Sequence, residues 1–120
     1  MKLLLVDDES EALEGMDYYF TGKGHEVLIA HGGYEALALI KACRPQLMLL
    51  DLKMKGLSGF DIMKQVRELH SDLKIVVVTG MSEDDLEAEC LRLGAMKVIH
   101  KPVRVEELEE AIQAVKNDIR

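Results

Sequence analysis

With 120 residues, 48% of them hydrophobic and 31% charged, the chain has the size of one domain and the composition of a folded globular protein, which sets disorder aside. Its net charge of -7 argues against direct nucleic-acid binding, which draws on basic patches facing phosphates. It opens on no secretory pattern and holds no apolar stretch long enough to span a bilayer, so the expectation is a cytoplasmic protein that does not engage the membrane.

Leu3-Leu4-Leu5-Val6 is a short continuous apolar run, the pattern of a strand buried on both faces, and it ends on Asp7-Asp8. Ser10 is placed to cap the next helix, whose Leu13, Met16 and Phe20 recur at helical spacing until Gly22-Lys23-Gly24 ends it. Val27 to Ala30 reads as a second strand. Gly32-Gly33 opens a turn, and Ala36, Leu37 and Ile40 mark a helix stopped before Pro45. Leu47 to Leu50 is the third strand, ending on Asp51, and Lys53 to Gly59 reads as a loop with two glycines.

Ile62, Met63, Val66 and Leu69 form a helical stripe that Ser71-Asp72 breaks. Ile75 to Val78 is the fourth strand, ending on Thr79. Ser82 resembles an N-cap, with Asp84 and Asp85 in the first turn, where acids complement the helix dipole. Leu86, Cys90 and Leu93 turn that helix inward, and Gly94 is placed to terminate it. Lys97 to His100 is the fifth strand, running into Lys101-Pro102. Val105, Leu108, Ile112, Val115 and Ile119 stripe the last helix.

Strand and helix thus alternate from end to end, which implies parallel strands, right-handed crossovers and helices on both sheet faces. No linker divides the chain, so residues 1–120 read as one domain; an output domain C-terminal to residue 120 is equally compatible with the pattern. Cys43 and Cys90 lack Cys or His partners at metal-ligand spacing and read as buried free thiols of a reducing compartment. No phosphate-binding glycine loop, Ser-His-Asp or Cys-His arrangement is present, and the four histidines share no motif spacing.

In an open parallel sheet, ligands bind at the carboxyl ends of the strands. Asp7, Asp8, Asp51, Thr79 and Lys101 all fall at such ends. Singly each has a plain reading: Asp7 or Asp8 as a helix cap, Thr79 as a β-branched strand residue, Lys101 as a solvated charge. Together they set three carboxylates, a hydroxyl and an ammonium on one edge. Adjacent carboxylates suit Mg2+, or Mn2+, which keeps several waters and accepts a phosphate oxygen. Asp51 beside two other acids suffers like-charge repulsion that raises its proton affinity unless a cation or Lys101 offsets it. Such a carboxylate beside a metal and phosphate suits nucleophilic attack on phosphorus. Gly80 leaves space beside Thr79, and Pro102 restricts Lys101 to extended geometry.

In these residues the chain resembles the receiver domain of bacterial response regulators, of the CheY-like kind, over essentially its whole length. The acidic pair matches Asp7-Asp8, the phosphoacceptor matches Asp51, the Thr and small residue match Thr79-Gly80, and the Lys-Pro pair matches Lys101-Pro102. The resemblance implies a flavodoxin-like (βα)5 doubly wound α/β sandwich, with a five-stranded parallel sheet in the order 2-1-3-4-5. It implies a phosphoacceptor rather than a dedicated enzyme, one that assists its own phosphorylation and dephosphorylation. A sensor histidine kinase or phosphotransfer protein would be the donor, and helix 4, strand 5 and helix 5 the output face and a homodimer surface. It implies that Asp8 and Asp51 ligate Mg2+ through side chains, Lys53 through its main-chain carbonyl, and Asp7 mainly through water.

The residues two past the phosphoacceptor and two past the Thr, which modulate hydrolysis in the family, are Lys53 and Met81. Two positions depart from the pattern: Lys55 stands for the usual loop Pro, and Val98 for the usual switch aromatic. The rival reading, an aspartate-nucleophile phosphatase of the haloacid dehalogenase type, fails on motif order. Lys53 stands where its general acid would be, and the acid pair precedes Asp51.

Overall fold

The computed structural model describes residues 1–54, 56–69, 72–81 and 85–118. Lys55, Ser71, Ser82, Asp84 and Ile119, each assigned a part in the sequence, lie outside the described residues. The elements alternate as β1 Lys2–Val6, α1 Ser10–Gly22, β2 Glu26–Ala30, α2 Gly33–Cys43, β3 Leu47–Leu50, α3 Gly59–Leu69, β4 Lys74–Thr79, α4 Leu86–Arg92, β5 Lys97–His100 and α5 Val105–Asp118. The sheet is parallel throughout, in the order β2-β1-β3-β4-β5. No described helix is long and apolar enough to cross a membrane.

Side chains alternate across the strands, and two cores result. Leu4, Val6, Met48, Leu50, Ile75, Val77 and Val98 face one side, where Ala36 and Ile40 of α2, Ile62, Met63 and Val66 of α3, and Leu86 and Cys90 of α4 cover them. Leu3, Leu5, Leu47, Leu49, Val76, Val78 and Ile99 face the other, under Leu13 and Phe20 of α1 and Leu108, Ala111, Ile112 and Val115 of α5. Burying each Leu, Ile or Val side chain contributes about 1.5–3 kcal/mol, so these apolar runs fix the sheet that presents the site.

Several helix ends differ from the sequence reading. Ser10 is already helical, and Glu9 occupies the cap position of α1 without a side-chain cap bond. Asp85 is not in the first turn of α4 but in its cap position, with left-handed backbone at φ 67°. Gly59 belongs to α3 rather than ending the loop. The helix starts there because Ser58 caps it, its Oγ accepting the Asp61 N–H at 3.2 Å and donating to Asp61 Oδ2 at 2.9 Å. Cys90 is a buried free thiol as expected, whereas Cys43, near the exposed end of α2, is only half-buried.

Candidate functional site

The carboxyl edge is set by hydrogen bonds that extend the sheet one residue past its strands. Asp7 N–H donates to the Ala30 carbonyl at 3.2 Å, Asp51 N–H to the Val6 carbonyl at 3.0 Å, and Lys101 N–H to the Thr79 carbonyl at 2.8 Å. The backbone therefore holds Asp7 and Asp51 on adjacent strands, with Thr79 and Lys101 on the next two. Asp7, Asp51 and Thr79 are the buried polar residues among those described, at 2%, 6% and 0% exposure, while Asp8 is exposed.

Each buried carboxylate divides its oxygens the same way. Asp7 Oδ1 accepts the Glu9 N–H at 2.9 Å, and Asp51 Oδ1 accepts the Lys53 N–H at 3.2 Å. The second oxygens meet one ammonium: Lys101 Nζ is 3.4 Å from Asp7 Oδ2 and 3.5 Å from Asp51 Oδ2. The sequence anticipated the Asp51 contact but not that Asp7 shares it. Burial raises the Asp51 pKa above the ordinary carboxylate value, and the charge of Asp7 adds to this against the opposing Lys53 N–H bond and Lys101. For Lys101, burial acts to lower the pKa, but Asp51 and Asp7 outweigh it and the net shift is upward. Lys101 thus bridges the two buried carboxyl groups.

Carboxylate oxygens of Asp7, Asp8 and Asp51 lie within 4.8 Å of one another. Opposite ligands of an octahedral ion with bonds of about 2.1 Å are about 4.2 Å apart, so small side-chain adjustments bring all three into range. The donors are all oxygen, which suits Mg2+ or Mn2+ over softer metals. The residues therefore fit a hard divalent cation.

Thr79 Oγ1 accepts the Met81 N–H at 3.0 Å, which ties Gly80 and Met81 to the hydroxyl. Its own proton can be given to an incoming oxygen. Lys53 is exposed, Met81 is half-buried against the core that contains Val98, and Val98 is 8% exposed. The structure thus brings Asp7, Asp8, Asp51, Thr79 and Lys101 to one edge, with Lys53, Gly80 and Met81 on the flanking loops.

Two features escaped the sequence reading. A groove of about 410 Å³ opens beside Asp7 and Lys101, floored by Ala12, Gly15 and Met16 of α1 and walled by Val103 and Leu108. Its small residues on α1 are the signal that could have shown it. The second feature is the packing of the loop after Asp51. A Cβ on Gly59 would lie 2.7 Å from Leu52 Cα, and one on Gly33 would lie 2.7 Å from Leu57 Cβ.

Residues 3–113 match the response regulator receiver domain family. Sporulation initiation phosphotransferase F of Bacillus subtilis is 30% identical over 112 residues, covering 93% of this chain and 90% of that protein. Response regulator MprA of Mycobacterium avium is 33% identical over 115 residues, covering 96% of this chain but 50% of its own length, so the chain spans about half of that relative. Among solved structures, the Vibrio cholerae chemotaxis protein CheY4 superposes with a TM-score of 0.87 at 28% identity, covering 95% of this chain and 97% of that one. A response regulator receiver protein from Pseudomonas putida gives a TM-score of 0.88 at 29% identity, with coverages of 94% and 95%. The parallel sheet, the carboxylates at its edge and the matched span all agree, and the chain belongs to the receiver domains of two-component response regulators.

Proposed function

We infer that the chain is a phosphoacceptor switch in which Asp51 receives a phosphoryl group from a histidine kinase or phosphotransfer protein. The observation that carries this reading is a buried carboxylate with one oxygen tied to backbone and the other 3.5 Å from Lys101, within a cluster of three acids. Asp51 Oδ2 attacks the phosphorus of the donor's phosphohistidine. An O–P bond forms, the P–N bond breaks, and its electron pair returns to the imidazole nitrogen, which takes up a proton. Asp7, Asp8, Asp51 and the main-chain carbonyl of Lys53 would hold Mg2+, or Mn2+ in its place. When bound, the cation supplies charge neutralisation for the phosphoryl oxygens.

Lys101 is released from Asp51 Oδ2 as that oxygen becomes the bridging oxygen of the acyl phosphate, and turns to the phosphoryl group. Thr79 donates its free proton to a phosphoryl oxygen, a charge-assisted bond. Its bond to the Met81 N–H then carries the loop with it, and α4, β5 and α5 form the output and dimer face. Val98 takes part only by packing, since it has no ring to reorient. The donor reaches Asp51 from the carboxyl edge, where the groove beside Asp7 and Lys101 gives it an apolar footing. The chain is a protein substrate that assists its own modification and release rather than a dedicated enzyme. Residues 1–120 act as a single receiver unit with a cytoplasmic site of action.

Acetyl phosphate, a small phosphoryl donor, tests the reading. With Mg2+ it should give one acid-stable, base-labile adduct that EDTA abolishes. An adduct formed equally well in EDTA would count against the metal-assisted site.

A further inference from the structure

The loop after Asp51 carries Lys55 where the family it resembles commonly has proline. Two contacts hold the described residues on either side of that position. Leu52, 3% exposed, is pressed against the first residue of α3. A Cβ built on Gly59 would lie 2.7 Å from Leu52 Cα, 2.8 Å from Leu52 Cδ2 and 3.0 Å from the Asp51 carbonyl oxygen. The Gly59 N–H also donates to the Leu52 carbonyl at 3.2 Å. At the far end of the loop, Leu57 lies on the first residue of α2, where a Cβ on Gly33 would come within 2.7 Å of Leu57 Cβ and 2.8 Å of its Cδ2.

Neither glycine has positive φ, so neither is needed for backbone freedom; what each provides is space. Cβ atoms essentially never approach within 3.0 Å of such neighbours, and at Gly59 the neighbour is backbone, which cannot swing aside. The backbone concerned is the stretch between Asp51 and Lys53. Mg2+ tolerates little departure from octahedral geometry, so a displacement of a few tenths of an ångström there reaches the ion.

We propose that Gly59 and Gly33 are positioning residues for the metal site. By lacking side chains they seat Leu52 and Leu57, and those two seats fix the loop that carries Asp51 and Lys53. The proposal rests on the phosphoacceptor reading above, in which residues 51 and 53 contribute ligands.

The test is Mg2+ affinity, measured by calorimetric titration of the intact chain with the metal alone, beside thermal unfolding. Three variants are compared with wild type: Gly59→Ala, Gly33→Ala and Leu57→Ala. Gly22→Ala is the control, since a Cβ there meets nothing within 4 Å. A second control is Ile40→Val, a core change away from the loop that lowers Tm without touching either seat. Gly59→Ala should weaken Mg2+ binding by about tenfold or more, the size of effect seen when groups supporting metal ligands are lost. Gly33→Ala and Leu57→Ala should each weaken it several-fold. Both controls should bind as wild type does.

If Gly59→Ala does not fold, Leu57→Ala decides, because it removes a seat without adding an atom. Wild-type affinity in the folded loop variants, or equal weakening in Ile40→Val, overturns the proposal. Failure of the wild-type chain to bind Mg2+ would instead overturn the reading beneath it.

Discussion

Lys101 Nζ lies 3.5 Å from Asp51 Oδ2, spanning from the end of β5 to the end of β3 across the intervening β4. The same ammonium is 3.4 Å from Asp7 Oδ2 on β1. One cation is therefore shared between two acids that burial and mutual repulsion make costly, in a place a phosphoryl group and a metal would compete for.

Replacing Lys101 by Met should therefore destabilise the metal-free protein, because it leaves two buried acids without a counter-charge. The expected loss is about 1–2 kcal/mol, below the full cost of a broken buried pair because the Lys101 side chain is 30% exposed. Mg2+ should restore part of it. Urea unfolding with and without Mg2+ measures both quantities. In the wild type, the raised Lys101 pKa means that its contribution is present below the ordinary lysine value and is lost as pH rises through the folded value.

Asp51 has the opposite consequence for an acid of the usual kind. Its folded pKa is raised, so the folded state holds that proton more tightly than the unfolded chain. Stability from this group is greatest below the ordinary carboxylate pKa and falls as pH climbs through the raised value. Above it, a fixed penalty remains that a bound cation relieves. The increase in Tm on adding Mg2+ should therefore be larger at neutral pH than at pH values near the ordinary carboxylate range. Thermal scans across pH, with and without Mg2+, read this directly.

Asp8 is the exposed member of the acid cluster. Asp8→Asn should cut Mg2+ affinity on the order of tenfold, since it removes one of few charged ligands. It should slow labelling by acetyl phosphate in parallel. Metal titration and labelling rates that both match wild type would show that Asp8 is not a ligand.

Met81 is half-buried, with its backbone N–H bonded to Thr79, and in the proposed switch its apolar side chain shields the acyl phosphate from water. Met81→Ala should shorten the lifetime of the phosphorylated protein by several-fold. The decay of the purified adduct measures it, and an unchanged or longer lifetime would remove shielding from the account of Met81.

The proposed switch transmits its movement to the output face through the bond between Met81 N–H and Thr79 Oγ1. Amide hydrogen exchange with and without beryllofluoride, a phosphoryl mimic, should show its largest changes at Thr79 to Met81 and along α4. Changes confined to α1 would place the output on the other side of the sheet.

Much of this was legible in the residues, for definable reasons. β1, β3 and β4 are buried over nearly their whole length, so their apolar runs are unbroken, and Asp7 follows directly on Val6, Asp51 on Leu50 and Thr79 on Val78; Lys101 follows β5, whose last residue, His100, is exposed. What escaped depends on distance in space. Gly33 reads as part of a turn and Gly59 as the end of a loop, whereas both begin helices, and a Cβ on either would meet Leu57 or Leu52. That Lys101 reaches Asp7 as well as Asp51 follows from the strand order, which no local pattern contains. Ser10 was read as a cap because its residue type favours one, but the helix begins on it and Glu9 takes the cap position while Asp7 Oδ1 accepts the Glu9 N–H.

The most direct measurement is the position of the phosphoryl group. The protein is labelled with acetyl phosphate and Mg2+, the acyl phosphate is reduced with borohydride to leave homoserine, and the peptides are mapped. The expected result is homoserine at position 51 alone and no label on Asp51→Asn. Homoserine at another aspartate in the wild-type protein, or undiminished labelling of Asp51→Asn, would contradict the assignment of Asp51 as the phosphoacceptor.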